Sequence, residues 1–248
     1  MKLKLFALTV ITALVLTALF ALNACMVLGT QPDATAAPGE NVSEVTVDDP
    51  ELYYKTRYEN AAFLYSVGHP DNWTVVTGSS GNALEDLKLG QMSSFAGGFL
   101  CCKVVPSAQS DRDYHDVTAS FCVYKLNLKG EKHDLTSAGQ ILESLMSASS
   151  DSFKFEWFTQ GDLNRASIKF TDTKPQDEVP YQFEFKTASY EFVRGSNAWK
   201  GKVYVTSLDD SSWFIICAES VESDWAANYP IFQNMAHDFV LLGAAVNG

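Results

Sequence analysis

Basic residues are scarce in this chain: 18 Lys and Arg stand against 30 Asp and Glu, a formal charge of −12 over 248 residues. That balance argues against capture of nucleic acid or anionic lipid headgroups by charge. Histidine is rarer still, at four residues, and no Cys-x-x-Cys pair occurs. Neither a zinc site nor a thioredoxin-like motif is therefore supported. Gly-x-Ser-x-Gly, Ser-x-x-Lys and His-Glu-x-x-His are also missing, so no sequence-local nucleophile or metalloprotease signature exists. Charged residues reach only 19% and hydrophobic ones 46%, which excludes both a disordered chain and a multi-span membrane protein. No internal repeat and no second linker interrupt the chain after its first fifty residues.

What is present begins at the amino terminus. Lys2 and Lys4 precede an uncharged run over residues 6–22, in which Thr9, Thr12 and Thr17 are the only polar side chains. A basic start followed by an apolar middle is the profile of a secretory signal. The run ends at Leu22-Asn23-Ala24-Cys25. This tetrapeptide resembles the lipobox of bacterial lipoproteins: an aliphatic residue at −3, a small residue at −1 and Cys at +1. The resemblance implies cleavage after residue 24 and a diacylglycerol thioether, with acyl chains such as palmitate, on Cys25. More than one chain is what stable anchoring takes. Met26 at +2 is not Asp, which by the same resemblance implies outer-membrane sorting if the cell has two membranes. An uncleaved span, or an ordinary signal with an incidental Cys25, are the alternatives. Without Lys2 and Lys4, 16 basic residues face 30 acidic ones, so the remaining 224 residues carry −14.

Residues 25–51 read as a flexible acidic tether, because the 29–50 stretch has no aromatics or basic residues and includes Pro32, Pro38 and Gly39. Such a segment buries too little apolar surface to fold, and its mean reach is on the order of 25 Å. The Asn41-Val42-Ser43 and Asn72-Trp73-Thr74 sequons would matter only in a eukaryotic secretory route.

Residues 52–244 read as one globular domain. Phe153, Phe155 and Trp157 alternate with polar residues, and Ala166, Ile168 and Phe170 do so after a Gln160-Gly161-Asp162 turn, which predicts a hairpin. Tyr181, Phe183, Phe185, Tyr190 and Phe192 continue the period-two pattern. Residues 213–218 are continuously apolar, as a central strand requires. Further strands are expected at 63–67, 74–77, 98–105, 117–128 and 202–206. Ser137 and Gln140 suit a capping box ahead of Ile141, Leu142, Leu145 and Met146. Pro230 suits the first turn of a final helix carrying Ile231, Phe232, Met235, Ala236 and Phe239. The expectation is an α+β fold: an antiparallel β-sheet sandwich with packed helices.

The sequence Phe63-Leu64-Tyr65-Ser66-Val67-Gly68-His69-Pro70-Asp71-Asn72-Trp73-Thr74-Val75 resembles the opening of PsbP-like domains, in which a strand leads through a Pro-x-x-Trp turn into a second strand. Residues 232–239, Phe-Gln-Asn-Met-Ala-His-Asp-Phe, resemble that family's closing helix. The resemblance implies a fold and an extracytoplasmic or assembly-associated role without an obvious catalytic centre.

Other chemical candidates are thin. Cys101, Cys102, Cys122 and Cys217 fall in expected strands, where Cys122 or Cys217 could pair across the sheet or simply pack. Strict alternation would put Cys101 and Cys102 on opposite faces. His69, His115, His133 and His237 each lie near an Asp (Asp71, Asp116, Asp134, Asp238), a coincidence expected of an acidic chain. Gly78-Ser79-Ser80-Gly81 reads as a loop. Asp111, Asp113 and Asp116 lack the glycine and distal Glu of a calcium loop. Trp199, expected in a turn over 195–201, would be exposed at a hairpin tip, where it would stack on a sugar or anchor a protein; folding back over the sheet edge is the plainer arrangement. Together these features predict a lipid-anchored, extracytoplasmic envelope module that binds a ligand, protein or saccharide, with no catalytic residue, metal or cofactor. The alternative is a cell-surface hydrolase whose site assembles only in three dimensions.

Overall fold

The computed structural model describes residues 42–46, 51–61, 63–76, 97–110, 117–127, 135–147, 168–179, 183–209 and 212–242. All belong to one compact unit. Cys25, the expected strand at 153–157 and the Asp111, Asp113 and Asp116 loop lie outside the described residues. Among the described residues no helix is long and apolar enough to cross a membrane.

Alternating and continuous apolar runs become two antiparallel sheets. The smaller has the order β1-β2-β3-β12, formed by β1 (Val42–Thr46), β2 (Thr56–Asn60), β3 (Tyr65–Gly68) and β12 (Phe239–Leu241). The larger runs β4-β5-β6-β11-β10-β9-β7, with β8 also paired to β9. Its strands are β4 (Trp73–Val76), β5 (Gly97–Pro106), β6 (Ala119–Asn127), β7 (Lys169–Phe170), β8 (Gln176–Glu178), β9 (Phe185–Arg194), β10 (Asn197–Asp209) and β11 (Ser212–Val221). All ten residues of β11 are buried, as its central position and continuous apolar run require.

The pleat divides the large sheet between two cores. Trp213, Ile215 and Cys217 join Val203, Val205 and Tyr190 beneath helix α1 (Ala138–Met146), which contributes Ile141, Leu142 and Leu145. Phe214, Ile216 and Ala218 point the other way with Tyr204. There they meet the small sheet and helix α2 (Trp225–His237) through Phe232, Met235 and Ala236. The fold class is α+β. The amino-terminal and carboxyl-terminal motifs pack on one another: Trp73 meets Phe232 edge-on at 5.8 Å, and β12 pairs with β3 through Phe239 and Val67.

At the start of α1, Ser137 Oγ accepts from Gln140 N–H at 3.3 Å, and Gln140 Oε1 accepts from Thr136 N–H at 2.8 Å. The expected capping box therefore forms with its return bond one residue earlier.

Four expectations need correcting. Composition assigns residues 42–46 to the tether, yet they form β1, whose register against β2 runs from Val42↔Asn60 to Thr46↔Thr56; pairing with a neighbour compensates for low hydrophobicity. The last helix runs from Trp225 to His237, so Pro230 is interior rather than in its first turn, and Phe239, expected on that helix, lies in β12. Trp225 stacks on Tyr229 at 5.2 Å and lies 6.0 Å from Phe232, an i, i+4, i+7 row that recruits the preceding turn.

The hairpin joining β9 to β10 turns on Gly195 and Ser196 alone, with Gly195 at φ +61°. Trp199 therefore lies within β10 and is only 2% exposed. Its ring stacks 5.6 Å from Phe192 and lies 4.0 Å beneath the Arg194 guanidinium. What is corrected is the turn, which is two residues long and does not reach Trp199; the plainer arrangement of that ring, folded onto the sheet, is the one found, and it leaves no exposed stacking platform there.

A bulge in β5 makes the fourth correction. Leu100 pairs with Tyr124 and Cys102 with Val123, leaving Cys101 as the extra residue. Cys101 and Cys102 consequently join the same core cluster. Burial pushes the Cys101 thiol well above its usual range and Cys102 up to about 12. Both stay protonated and serve as packing groups rather than nucleophiles. Cys122 and Cys217 stand directly opposite across β6 and β11, and all four are thiols.

Candidate functional site

Strand β10 places Lys202 and Tyr204 two residues apart, with Tyr204 on the sheet face covered by α2. Opposite them the chain leaves β8 at Glu178, and α2 supplies Gln233 and Ala236 one turn apart. Glu178, Val179, Tyr204, Gln233 and Ala236 enclose a cleft of about 230 Å³. Val179, on its rim, is 67% exposed.

Lys202 is buried beside the cleft. Its Nζ pairs with the Glu178 carboxylate and donates to the Tyr229 hydroxyl at 3.1 Å. It also sits over the Tyr204 and Tyr229 rings at 5.4 and 5.6 Å. Burial opposes its charge, but the hydrogen bonds to Glu178 and Tyr229 outweigh that, and its pKa is raised. The ammonium and carboxylate thus neutralise each other within the wall.

Tyr204 is 1% exposed, edge-on to Phe185 at 5.8 Å, and its hydroxyl has no hydrogen-bond partner. Burial, followed by the Glu178 and Tyr229 charges, holds its pKa well above the usual phenol value. The group remains O–H, buried within the wall. His69, Ser120 and Trp199 also bury a polar atom without a partner; of these four residues, Tyr204 is the one that lines this cleft. A buried hydroxyl left unmatched costs the fold free energy, a local departure of the kind that marks functional sites, which makes this wall the candidate site.

Elsewhere the polar groups are engaged in holding the fold. On the α1 face, Tyr190 O–H donates to Glu219 Oε1 at 2.5 Å, and Arg194 Nη2 meets Glu219 Oε2 at 3.3 Å. At the end of α2, Asp238 accepts from Tyr53 N–H at 3.0 Å and Tyr54 N–H at 2.7 Å, and lies 3.8 Å from Arg57. Of the His–Asp neighbours, His237 Nδ1 does reach Asp238 Oδ1 at 2.9 Å, with Tyr53 edge-on at 4.6 Å. That carboxylate is already committed to backbone. Asp71 instead accepts from Thr56 Oγ1 at 2.6 Å, while His69 Nδ1 lies 3.1 Å from the Pro70 carbonyl. His115 and His133 fall outside the described residues. Among the described residues no His, Ser or Cys lines the cleft.

Sequence reasoning did not single out the cleft residues. Tyr204 occupies an ordinary inward position of a strand, and its partners lie 26 residues before and 29 after it, on β8 and α2.

No protein-family model matches the sequence, and no curated protein matches it. Among solved structures the chain is similar to the cyanobacterial PsbP, CyanoP, of Synechocystis: 14% identity over 86% of this chain and 98% of that one, with a TM-score of 0.45. It is also similar to LpqN of Mycobacterium tuberculosis, described as involved in cell envelope biogenesis, at 9% identity over 86% and 99% of the two chains and a TM-score of 0.41. A Bacteroides thetaiotaomicron protein matches at 8% identity over 76% of this chain and 48% of its own, with a TM-score of 0.39. Likeness at this level transfers no activity.

Proposed function

We propose that this protein is a membrane-anchored, extracytoplasmic lipoprotein held by lipid on Cys25, and that its domain is a non-enzymatic binding module of the cell envelope. The observation that carries the binding half is the cleft of about 230 Å³ lined by Glu178, Val179, Tyr204, Gln233 and Ala236. Such a lining offers an amide, a carboxylate already engaged by Lys202 and two aliphatic contacts, which favour capture over reaction. The lipobox-like Leu22-Asn23-Ala24-Cys25 supports the anchoring half. The acidic charge of the domain leaves lipid, not electrostatic attraction, to hold it at an anionic membrane.

Metabolic labelling with an alkyne-bearing palmitate tests the anchor. The native chain takes up label and fractionates with membranes, whereas Cys25→Ala stays unlabelled and accumulates as the longer precursor. Undiminished label on Cys25→Ala removes Cys25 as the attachment site.

A further inference from the structure

We infer that Cys122 and Cys217 form a modification site, a disulfide closed between β6 and β11 by a disulfide-bearing oxidant while the exported chain folds. The inference goes beyond the binding reading and rests on the extracytoplasmic location proposed above, where thiols meet such oxidants.

The register sets the spacing. Cys217 and Cys122 are directly opposed within an unbroken run from Ser212↔Asn127 to Ser220↔Ala119. Just beyond that run, the Val221 N–H donates to the Thr118 carbonyl at 2.8 Å, the mark of a hydrogen-bonded pair. Pair types alternate along an antiparallel ladder, so Cys217↔Cys122, four positions back, is again of this type. Its Cα atoms stand about 5.5 Å apart, well within the roughly 4.4–6.8 Å that disulfides span. Both side chains also face the same way. They join one core cluster beneath α1, and both are fully buried. Opposed Cβ atoms on one face are about 4.5–5.5 Å apart, a small closing movement from the roughly 3.5–4.5 Å of a bridge. The other two thiols are excluded as partners. Cys101 and Cys102 belong to the core on the opposite face. Their strand, β5, is separated from β11 by β6, which puts Cys217 two strand spacings away, on the order of 9.5 Å.

The structure holds the pair as thiols. On oxidation, one thiolate attacks a sulfur of the oxidant's disulfide and releases its other sulfur, leaving a mixed disulfide. The second cysteine then displaces the attached oxidant sulfur and closes the Sγ–Sγ bond. Two protons and two electrons leave the protein, and the oxidant departs as thiols. The folded core covers both sulfurs, so the exchange belongs to folding, before α1 closes over the sheet. The same burial then shields the bond from reductants.

Two preparations of the full chain test the bridge. One is taken from membranes of cells that make the chain with its own leader. The other is reduced in denaturant and refolded in detergent with oxidised and reduced glutathione. Both are acid-quenched, alkylated in denaturant and mapped by peptide mass spectrometry. The expected result in each is a peptide pair linked through Cys122 and Cys217, with Cys101 and Cys102 alkylated. Dithiothreitol added to the folded protein leaves the link intact, and added with denaturant it removes the link. Cys122 and Cys217 alkylated in both preparations, or linked to Cys101 or Cys102, overturns the pairing. A link on refolding but none in cells overturns the extracytoplasmic reading and leaves the pairing standing. Ready reduction of the folded protein overturns the closure of the bond beneath α1.

Discussion

Asp238→Ala lowers the unfolding free energy by about 3–5 kcal/mol, the cost of breaking a buried ion pair by removing one partner. Asp238 is fully buried at the end of α2. Its two oxygens receive the Tyr53 and Tyr54 backbone N–H groups, and Oδ2 faces Arg57. Arg57, itself 2% exposed, donates to Ser66 Oγ at 2.9 Å and to the Asp238 carbonyl at 2.5 Å. Even Gly68 belongs to this knot, since a Cβ there would stand 2.6 Å from Asp238 Oδ2. The carboxylate thus ties the entry of the domain to its last helix across 185 residues of sequence. Urea unfolding followed by tryptophan fluorescence should show a much lower midpoint at unchanged slope. Against a typical total of about 5–15 kcal/mol, the loss leaves a marginal fold. Asp238→Asn, which keeps one acceptor oxygen, loses less. A drop below about 1 kcal/mol for Asp238→Ala contradicts the role assigned to the knot.

Gly201→Ala is the second large effect. In register, Gly201 of β10 lies between Tyr190 of β9 and Glu219 of β11. The Tyr190 ring crosses over the bare glycine to reach Glu219, and a Cβ at 201 would stand 2.4 Å from its Cζ. Alanine must displace that ring, adding about 1–3 kcal/mol of overpacking to about 1.5–3 kcal/mol for the lost hydrogen bond to a buried carboxylate. The expected total is about 2.5–6 kcal/mol. A double-mutant cycle isolates the cause: in a Tyr190→Ala background, Gly201→Ala should cost far less, because the obstructing ring is gone. Equal costs in both backgrounds would refute the crossing-ring account.

These two sites show where sequence reading succeeds and where it stops. The continuous apolar run of β11, the alternation in β9 and the Ser137–Gln140 cap are local patterns, and each appears in the structure nearly as expected. The bulge at Cys101, the pairing of residues 42–46 and the burial of Trp199 depend on what the neighbouring strand does. A two-residue turn at Gly195 puts Trp199 inside a strand, whereas a seven-residue turn would have exposed it. Asp238 and Gly201 are likewise defined by partners distant in sequence. The candidate site follows the same rule: Glu178, Tyr204 and Gln233 are unremarkable singly, and only the packing of α2 over the sheet makes them a cleft.

The central claim is that the Tyr204 hydroxyl, buried without a hydrogen-bond partner in the wall of the cleft, contributes nothing to holding the fold. Its most direct test is the stability of Tyr204→Phe. Because the hydroxyl is buried and has no partner, removing it should leave the unfolding free energy unchanged or raise it by up to about 1–3 kcal/mol of recovered desolvation. A destabilisation of about 1 kcal/mol or more would show that the hydroxyl supports the fold, and would contradict the claim.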